Sequence, residues 1–237
     1  MSFLDATGRN LIGVGVYTVP QVATLVRLPK ATVDTIVGPT PDDDTPPRAY
    51  PIAIAELDLG QGEKIITFQG LMDLWVAARL RRHNIPWPVI RLAAYHASRI
   101  LKTPHPFTTG TFRMESKKVF LSLRQERDKQ KTAIDLLNQQ QVFEDVIDQS
   151  LTDDIVVRDK HGRIAQLFPM GSKFKVVLDP ERRFGEPIDP DSGVPVKALA
   201  GAYHAEKGNV TAAARWFDVS KKAVLDAVAF EEWLSKS

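Results

Sequence analysis

The chain has 237 residues, of which 43% are hydrophobic and 25% charged, and a formal net charge of +2. It can bury a real core and has room for two units, but a charge this small means that any face for a polyanion must come from local clustering. The absence of cysteine excludes disulfides, thiolate metal sites and thiol nucleophiles; MSFLDATGRN lacks the basic start and apolar run of a secretory signal, and no stretch approaches the ~18–20 apolar residues of a membrane span, so a cytoplasmic protein without membrane contact is expected.

In chain order, YTVPQVATLVRLPKATVDTIVG has the outline of two short helices about a tight turn. Thr18 stands as an N-cap with Gln21 as the reciprocal half of a capping box, and Pro20 is tolerated in the first turn. Val22, Ala23, Leu25 and Val26 form one apolar face. Leu28 and Pro29 end this helix. A second is predicted over 31–37 with Val33, Ile36 and Val37 turned inward, and Gly38 with Pro39 stops it. PTPDDDTPPRAY reads as a Pro-rich, acidic surface loop. PIAIAELD and KIITFQ, on either side of GQG, read as a small β-hairpin, and helices follow over 71–82 and 89–101.

The second short helix raises a question, because Asp34 lies where a reader of DNA normally presents a donor. A carboxylate there can accept from cytosine in the major groove, hold a neighbouring side chain, or repel phosphate. The later helices carry the opposite charge. Between Ile65 and Thr103 stand Arg79, Arg81, Arg82, Arg91, Arg99 and Lys102 against Asp73 alone, a local charge of +5. Such a concentration can hold phosphates with salt-dependent affinity, or simply keep helix faces solvated.

Further along, PHPFTTGTFRMESKKVFLSL suggests two strands about ESKK. A helix is predicted over 126–151, with Leu136, Leu137 and Phe143 available as a dimer element or as core between domains. DIVVRDKHGRIAQLFP is a hairpin about KHG. Pro180 and Gly185 bracket one turn and Gly193 with Pro195 punctuates another; within RRFGEP, Phe184 is expected in the core, with Arg182 and Arg183 exposed. Asn209 and Ser220 can cap the last two helices. Trp216, Phe217, Val219, Val224, Ala227, Val228 and Phe230 are expected to form a three-helix core with Leu199 and Tyr203.

Two stretches resemble known families. YTVPQVATLV and TVDTIVG, followed by ITFQGLMDLWVAARLRRHNIPWPVIRLAA, are similar to the DNA-binding domain of MerR-type regulators, with Phe68, Leu71, Leu74, Leu80, Ile85 and Ile90 in the corresponding packing places. VVLDPERRFGEPIDPDSGVPVKALAGAYHAEKGNVTAAARWFDVSKKAVLDAVAFE resembles the small domain of the VapB-like antitoxin family, whose strand-and-turn pattern is filled by Leu178, Asp179, Pro180, Phe184, Gly185, Pro187, Gly193, Val194 and Pro195. The resemblance implies an α+β fold, mainly α with small β-hairpins. Its parts are a MerR-like winged helix domain over 1–103, connecting hairpins and a long helix over 104–170, and a small hairpin plus three-helix, helix-turn-helix-like domain over 171–237. Asp34 and Thr35 depart from the pattern, which usually presents Arg, Tyr or Trp there.

What the family resemblance implies is an antitoxin that neutralises a PIN-domain ribonuclease toxin and represses its own operon, as a homodimer and in a toxin-antitoxin hetero-oligomer. A stand-alone winged-helix regulator is the alternative. Lys30, Thr32, Thr35, Arg48, Arg79, Arg81, Arg82 and Arg91 are the candidates for double-stranded operator DNA. Arg182, Arg183 and Phe184, with Arg158 and Arg163 beside the preceding hairpin, are the candidates for the toxin. Leu136, Leu137 and Phe143 are those for dimerisation. No cofactor, metal or catalytic group is expected. The five histidines never fall at a metal-ligand spacing, Asp42, Asp43 and Asp44 lie in a loop that would not preorganise them, and neither a nucleophile elbow nor a phosphate loop is present.

Overall fold

The computed structural model describes residues 13–55, 63–109 and 145–236, and the chain falls into two units. One comprises Tyr17–Thr152 with Asp159–Ile164, the other Met1–Val16 with Asp153–Arg158 and Ala165–Ser237. Small sheets and several helices make both units mixed α/β.

In the Tyr17–Thr152 unit, β1 (Tyr17–Thr18) leads directly into α1 (Val19–Val26). Gln21 Oε1 accepts from Thr18 N at 2.8 Å and from the Thr18 hydroxyl at 3.1 Å, so the start of the helix is fixed by its own first turn. Arg27 closes α1 in the left-handed region at φ 58°, and Pro29 opens α2 (Lys30–Ile36). Val22, Val26 and Val33 have no exposed surface.

The hairpin expected about GQG does not form among the described strands. β3 (Ala53–Ile54) pairs in parallel with β2 (Val37–Gly38), and β4 (Ile65–Ile66) pairs antiparallel with β1. The reason is backbone satisfaction. The chain is buried on entering α1 and on leaving α2, and its amides and carbonyls there need partners. The two later strands supply them, one on each side of the helix pair.

Helix α3 (Phe68–Arg82) begins three residues earlier than expected, where Thr67 Oγ1 accepts from Gly70 N at 3.3 Å. A Cβ on Gly70 would lie 2.8 Å from Ile66 Cγ2 and 3.3 Å from the Ile54 carbonyl, so only glycine lets the helix start against the strands. Phe68, Leu71, Met72, Leu74, Val76, Ala77, Ala78 and Leu80 are all fully buried. A helix buried on nearly every side is a core helix, and only the last turn of α3, with Arg81 and Arg82, is exposed. α4 (Trp87–Leu101) packs Ile90, Ala93, Ala94 and Ala97 inward, and residues 145–150 are helical with Val146 and Ile147 buried. Leu136, Leu137 and Phe143 lie outside the described residues.

In the other unit, β5 (Val156–Arg158), β6 (Ile164–Leu167), β7 (Val177–Leu178) and β8 (Pro187–Ile188) form one sheet in chain order. The KHG turn between β5 and β6, which groups with Tyr17–Thr152, closes tightly, with Gly162 N donating to Asp159 O at 2.9 Å and Gly162 at φ 77°. Three helices follow: α5 (Val196–Ala205), α6 (Val210–Phe217) and α7 (Lys221–Ser235). Asn209 Oδ1 accepts from Ala212 N and Ser220 Oγ from Ala223 N, both at 3.1 Å, so both expected caps are made.

The core of these helices is smaller than expected. Leu199, Ala213, Val224, Ala227 and Phe230 are fully or almost fully buried, but Trp216 is 61% exposed. Phe217, Val219, Val228 and Tyr203 are half-buried. Trp216 lies in the last turn of α6 on the side that none of the three helices covers.

Candidate nucleic-acid interface

The outer side of α2 carries the side chains expected to read DNA, and most of its polar groups already have partners within the protein. Lys30 Nζ lies 2.8 Å from Asp34 Oδ2, an i,i+4 pair with both side chains well exposed. Asp34 therefore holds a neighbouring cation, one of the three roles open to it from sequence. The Thr35 hydroxyl donates to Ala31 O at 2.8 Å. Lys64 Nζ bonds the carbonyls of Asp34 and Val37 at 2.6 and 2.8 Å, closing the carboxyl end of α2 with a full positive charge. Nothing in the local sequence pattern marked Lys64 for this role.

The +5 segment divides in the same way. Arg82 Nη2 donates to Val26 O at 2.9 Å, at the end of α1, and Arg79 Nη1 to Gln149 O at 3.3 Å. Arg91 donates to Tyr50 O, and Arg99 Nη2 to Asp43 O at 2.7 Å, with its other terminal nitrogen 3.6 Å from the Asp43 carboxylate. Burial, and secondarily the charge of Arg82, lowers the Arg79 guanidinium to about 10, so it stays protonated at neutral pH. Burial also lowers Arg82, with Arg27 adding repulsion, and burial lowers Arg91. Arg79 stacks over Trp75 at 4.4 Å. These arginines brace carbonyls; Arg48 and Arg81 are exposed, Thr32 is half-buried, and Lys30 is held only by its surface pair.

The single acid of the segment is internal. Asp73 is fully buried, with its carboxylate 2.8 Å from His105 Nδ1 and accepting from Phe107 N at 3.1 Å. Among the described residues no group of three or more His, Cys, Asp or Glu could hold a metal ion. No helix of the described residues is long and apolar enough to cross a membrane.

Three of the residues expected to meet a protein partner, Arg182, Arg183 and Phe184, lie in a strained turn of the other unit. Arg183, Phe184 and Gly185 follow one another at φ 51°, 54° and 84°. Left-handed backbone costs a bulky residue roughly 1–2 kcal/mol, and here it is held by Arg182 N on Asp179 O, Gly185 N on Arg182 O and Val16 N on Phe184 O, at 2.9–3.0 Å. Phe184 is 42% exposed rather than core, because the left-handed turn swings its side chain outward. Arg183 is exposed beside it. Arg182 instead donates to Pro190 O at 2.8 Å, and Arg163 lies 3.0 Å from Asp159. Arg158 is half-buried in β5.

These features define a helix-turn-helix unit joined to a small sheet with a helical bundle. The same fold is found in the crystal structure of Rv2018 from Mycobacterium tuberculosis, which aligns over 92% of this chain and 98% of that one, with a TM-score of 0.65 and 20% identity. No family model matches the chain, and no curated protein matches it in sequence.

Proposed function

We propose that the protein is a non-catalytic regulator of the antitoxin type, VapB-like, which binds its own operator DNA through residues 17–103 and a PIN-domain ribonuclease through the unit that contains Arg183 and Phe184. The observation that carries the reading is the strained, backbone-fixed turn that presents Arg183 and a 42% exposed Phe184. A rigid aromatic and a guanidinium are the groups that most often anchor protein interfaces, and a guanidinium can pair with the carboxylates of a Mg²⁺-dependent nuclease centre. Arg182 is tied to the Pro190 carbonyl and Arg163 to Asp159, so these two extend less freely than Arg183. The fold shared with Rv2018 and the resemblance of both stretches to regulator families support the same reading.

Lys30, Thr32, Thr35, Arg48 and Arg81 are assigned to DNA, with Arg79, Arg82 and Arg91 holding the helices that carry them. The Lys30–Asp34 pair is a surface pair worth about 0.2–1 kcal/mol, so phosphate or a base edge can displace Asp34. A homodimer, paired through the segment containing Leu136, Leu137 and Phe143, would meet two half-sites. The absence of cysteine and of any catalytic motif supports a binding role. A stand-alone winged-helix regulator is the second reading, favoured by the way the α1–α2 pair is completed by strands of its own unit.

The test is co-expression of the full-length protein with each nuclease encoded beside it, followed by isolation of complexes and assay of RNA cleavage. Phe184→Ala and Arg183→Ala are each expected to weaken the complex at least tenfold. Operator binding with no restraint of any neighbouring nuclease would replace the antitoxin by the stand-alone regulator. Arg81→Ala should reduce the salt slope of DNA binding by about one without changing stability.

A further inference from the structure

A cavity of about 150 Å³ in the Tyr17–Thr152 unit is lined by Arg79, Arg82, His83, Val146, Gln149 and Ser150. Among the described residues its lining holds two guanidiniums and an imidazole and no carboxylate. The volume is far above the ~10–15 Å³ that a single water needs. Arg79 Nε is buried, with no acceptor in hydrogen-bond reach among the described residues. A buried charged donor left without an acceptor is costly and points to a missing partner.

The neighbouring helix ends do not supply that partner. Arg79 gives one N–H to Gln149 O and Arg82 one to Val26 O, while each guanidinium carries five donors. The partial charge at each helix end is about half a unit and fades within one turn, so two full positive charges are offset only in part. Burial depresses both guanidiniums, with Arg82 adding repulsion at Arg79 and Arg27 at Arg82, and an anion beside them would offset both effects.

We propose that this cavity binds a small tetrahedral oxyanion, free phosphate or the terminal phosphate of a small monoester, between Arg79 and Arg82. The planar forks of two arginines match such oxygens bidentately. His83 stands exposed at the rim and can add a donor. The recess favours a small anion over duplex DNA, because a phosphodiester carries a sugar on each side and cannot bring its oxygens to a buried Nε.

The experiment titrates the full-length protein with sodium phosphate, phenyl phosphate and, as a control, sodium chloride at matched ionic strength, following thermal unfolding and isothermal heat. Phosphate is expected to give saturable binding heat and to raise Tm with the logarithm of its concentration, by about 3–5 °C near ten times its Kd, and chloride to do neither. If phenyl phosphate binds at least as tightly as phosphate, the source is a monoester; if only phosphate binds, it is the free ion. Arg79→Lys and Arg82→Lys, which keep the charge and lose the fork, should each weaken binding at least tenfold, and Lys102→Gln less than twofold. Equal stabilisation by chloride and phosphate in the unaltered protein would overturn the site even if the arginine variants fail to fold. Unchanged affinity in folded variants would also overturn it. Displacement of phosphate by a short duplex, lost in Arg82→Lys, would make the cavity a DNA contact and overturn the small-ligand assignment.

Discussion

The two helix pairs, α1–α2 and α6–α7, are built by the same local rules and leave different things outside. Each has a capped start, an apolar stripe and a left-handed residue at the turn, Arg27 in one and Asp218 in the other. Around α1–α2 the strands and the largely buried α3 leave no large apolar side chain exposed, and the nearby cations are drawn onto carbonyls. Around α6–α7 only α5 packs closely, and Trp216 and Leu225 remain 61% and 50% exposed. Local sequence makes a helix pair; what surrounds it decides whether its outer face is polar and braced or apolar and open.

The strongest way to break this contrast is to test the two aromatics of the second pair against each other. Phe230 is fully buried, so Phe230→Ala should cost about 3–5 kcal/mol. Trp216→Ala should cost less than about 1 kcal/mol, because an exposed ring loses little on truncation. Equal losses in urea denaturation would mean that Trp216 is covered in solution. The matching test in the first unit is Asp73→Ala, which removes the acceptor for both His105 and the Phe107 amide. A loss of about 2–5 kcal/mol is expected there, while Asp44→Ala, in the exposed acidic loop, should change stability by less than about 0.5 kcal/mol.

These pairs also mark what could be read from sequence. The caps at Thr18, Asn209 and Ser220 were legible because a cap and its helix are neighbours in the chain. The Lys30–Asp34 pair was legible in principle, since i,i+4 spacing is local. The pairing of the short strands was not: two buried residues carry no alternation to set a partner or a register. Nor were the arginine braces, whose acceptors are backbone carbonyls 70, 56 and 41 residues away for Arg79, Arg82 and Arg91. Composition counts a charge but does not say which carbonyl it meets. Trp216 was assigned inward because the pattern shows which face is apolar, not whether anything covers it, and Phe184 because Gly and Pro mark a turn without saying which way its side chain leaves.

A smaller effect sharpens the comparison of starts. Asn209→Ala and Ser220→Ala each remove a cap seen at 3.1 Å and should cost about 1 kcal/mol apiece. At Thr18 the helix end is also tied by β1 to β4, so Thr18→Ala should cost less than either. Guanidinium melts of the three variants give the order directly, and a Thr18 loss as large as the others would show that the strand pairing contributes nothing to that end.

The smallest expected effect concerns the KHG turn. The Asp159 carboxylate accepts from the Arg163 amide at 2.9 Å and from the His161 amide at 2.8 Å, and its other oxygen meets Arg163 Nε at 3.0 Å. The Arg163 amide is the largest cause holding Asp159 below its usual value of 3.8; desolvation, next in size, opposes it, and the His161 amide and the Arg163 side chain add to the lowering. A carboxylate whose folded pKa is depressed contributes stability that is present above its unfolded pKa and lost as pH falls through the folded one. The turn should therefore be intact at neutral pH and loosen only below pH 3.8. Asp159→Asn keeps the oxygen that both amides meet but has no proton to gain, so amide exchange at His161 and Arg163 should lose its acid dependence. An Asp159 carboxyl that titrates at or above 3.8 by carbon NMR would mean that these amides do not hold the turn.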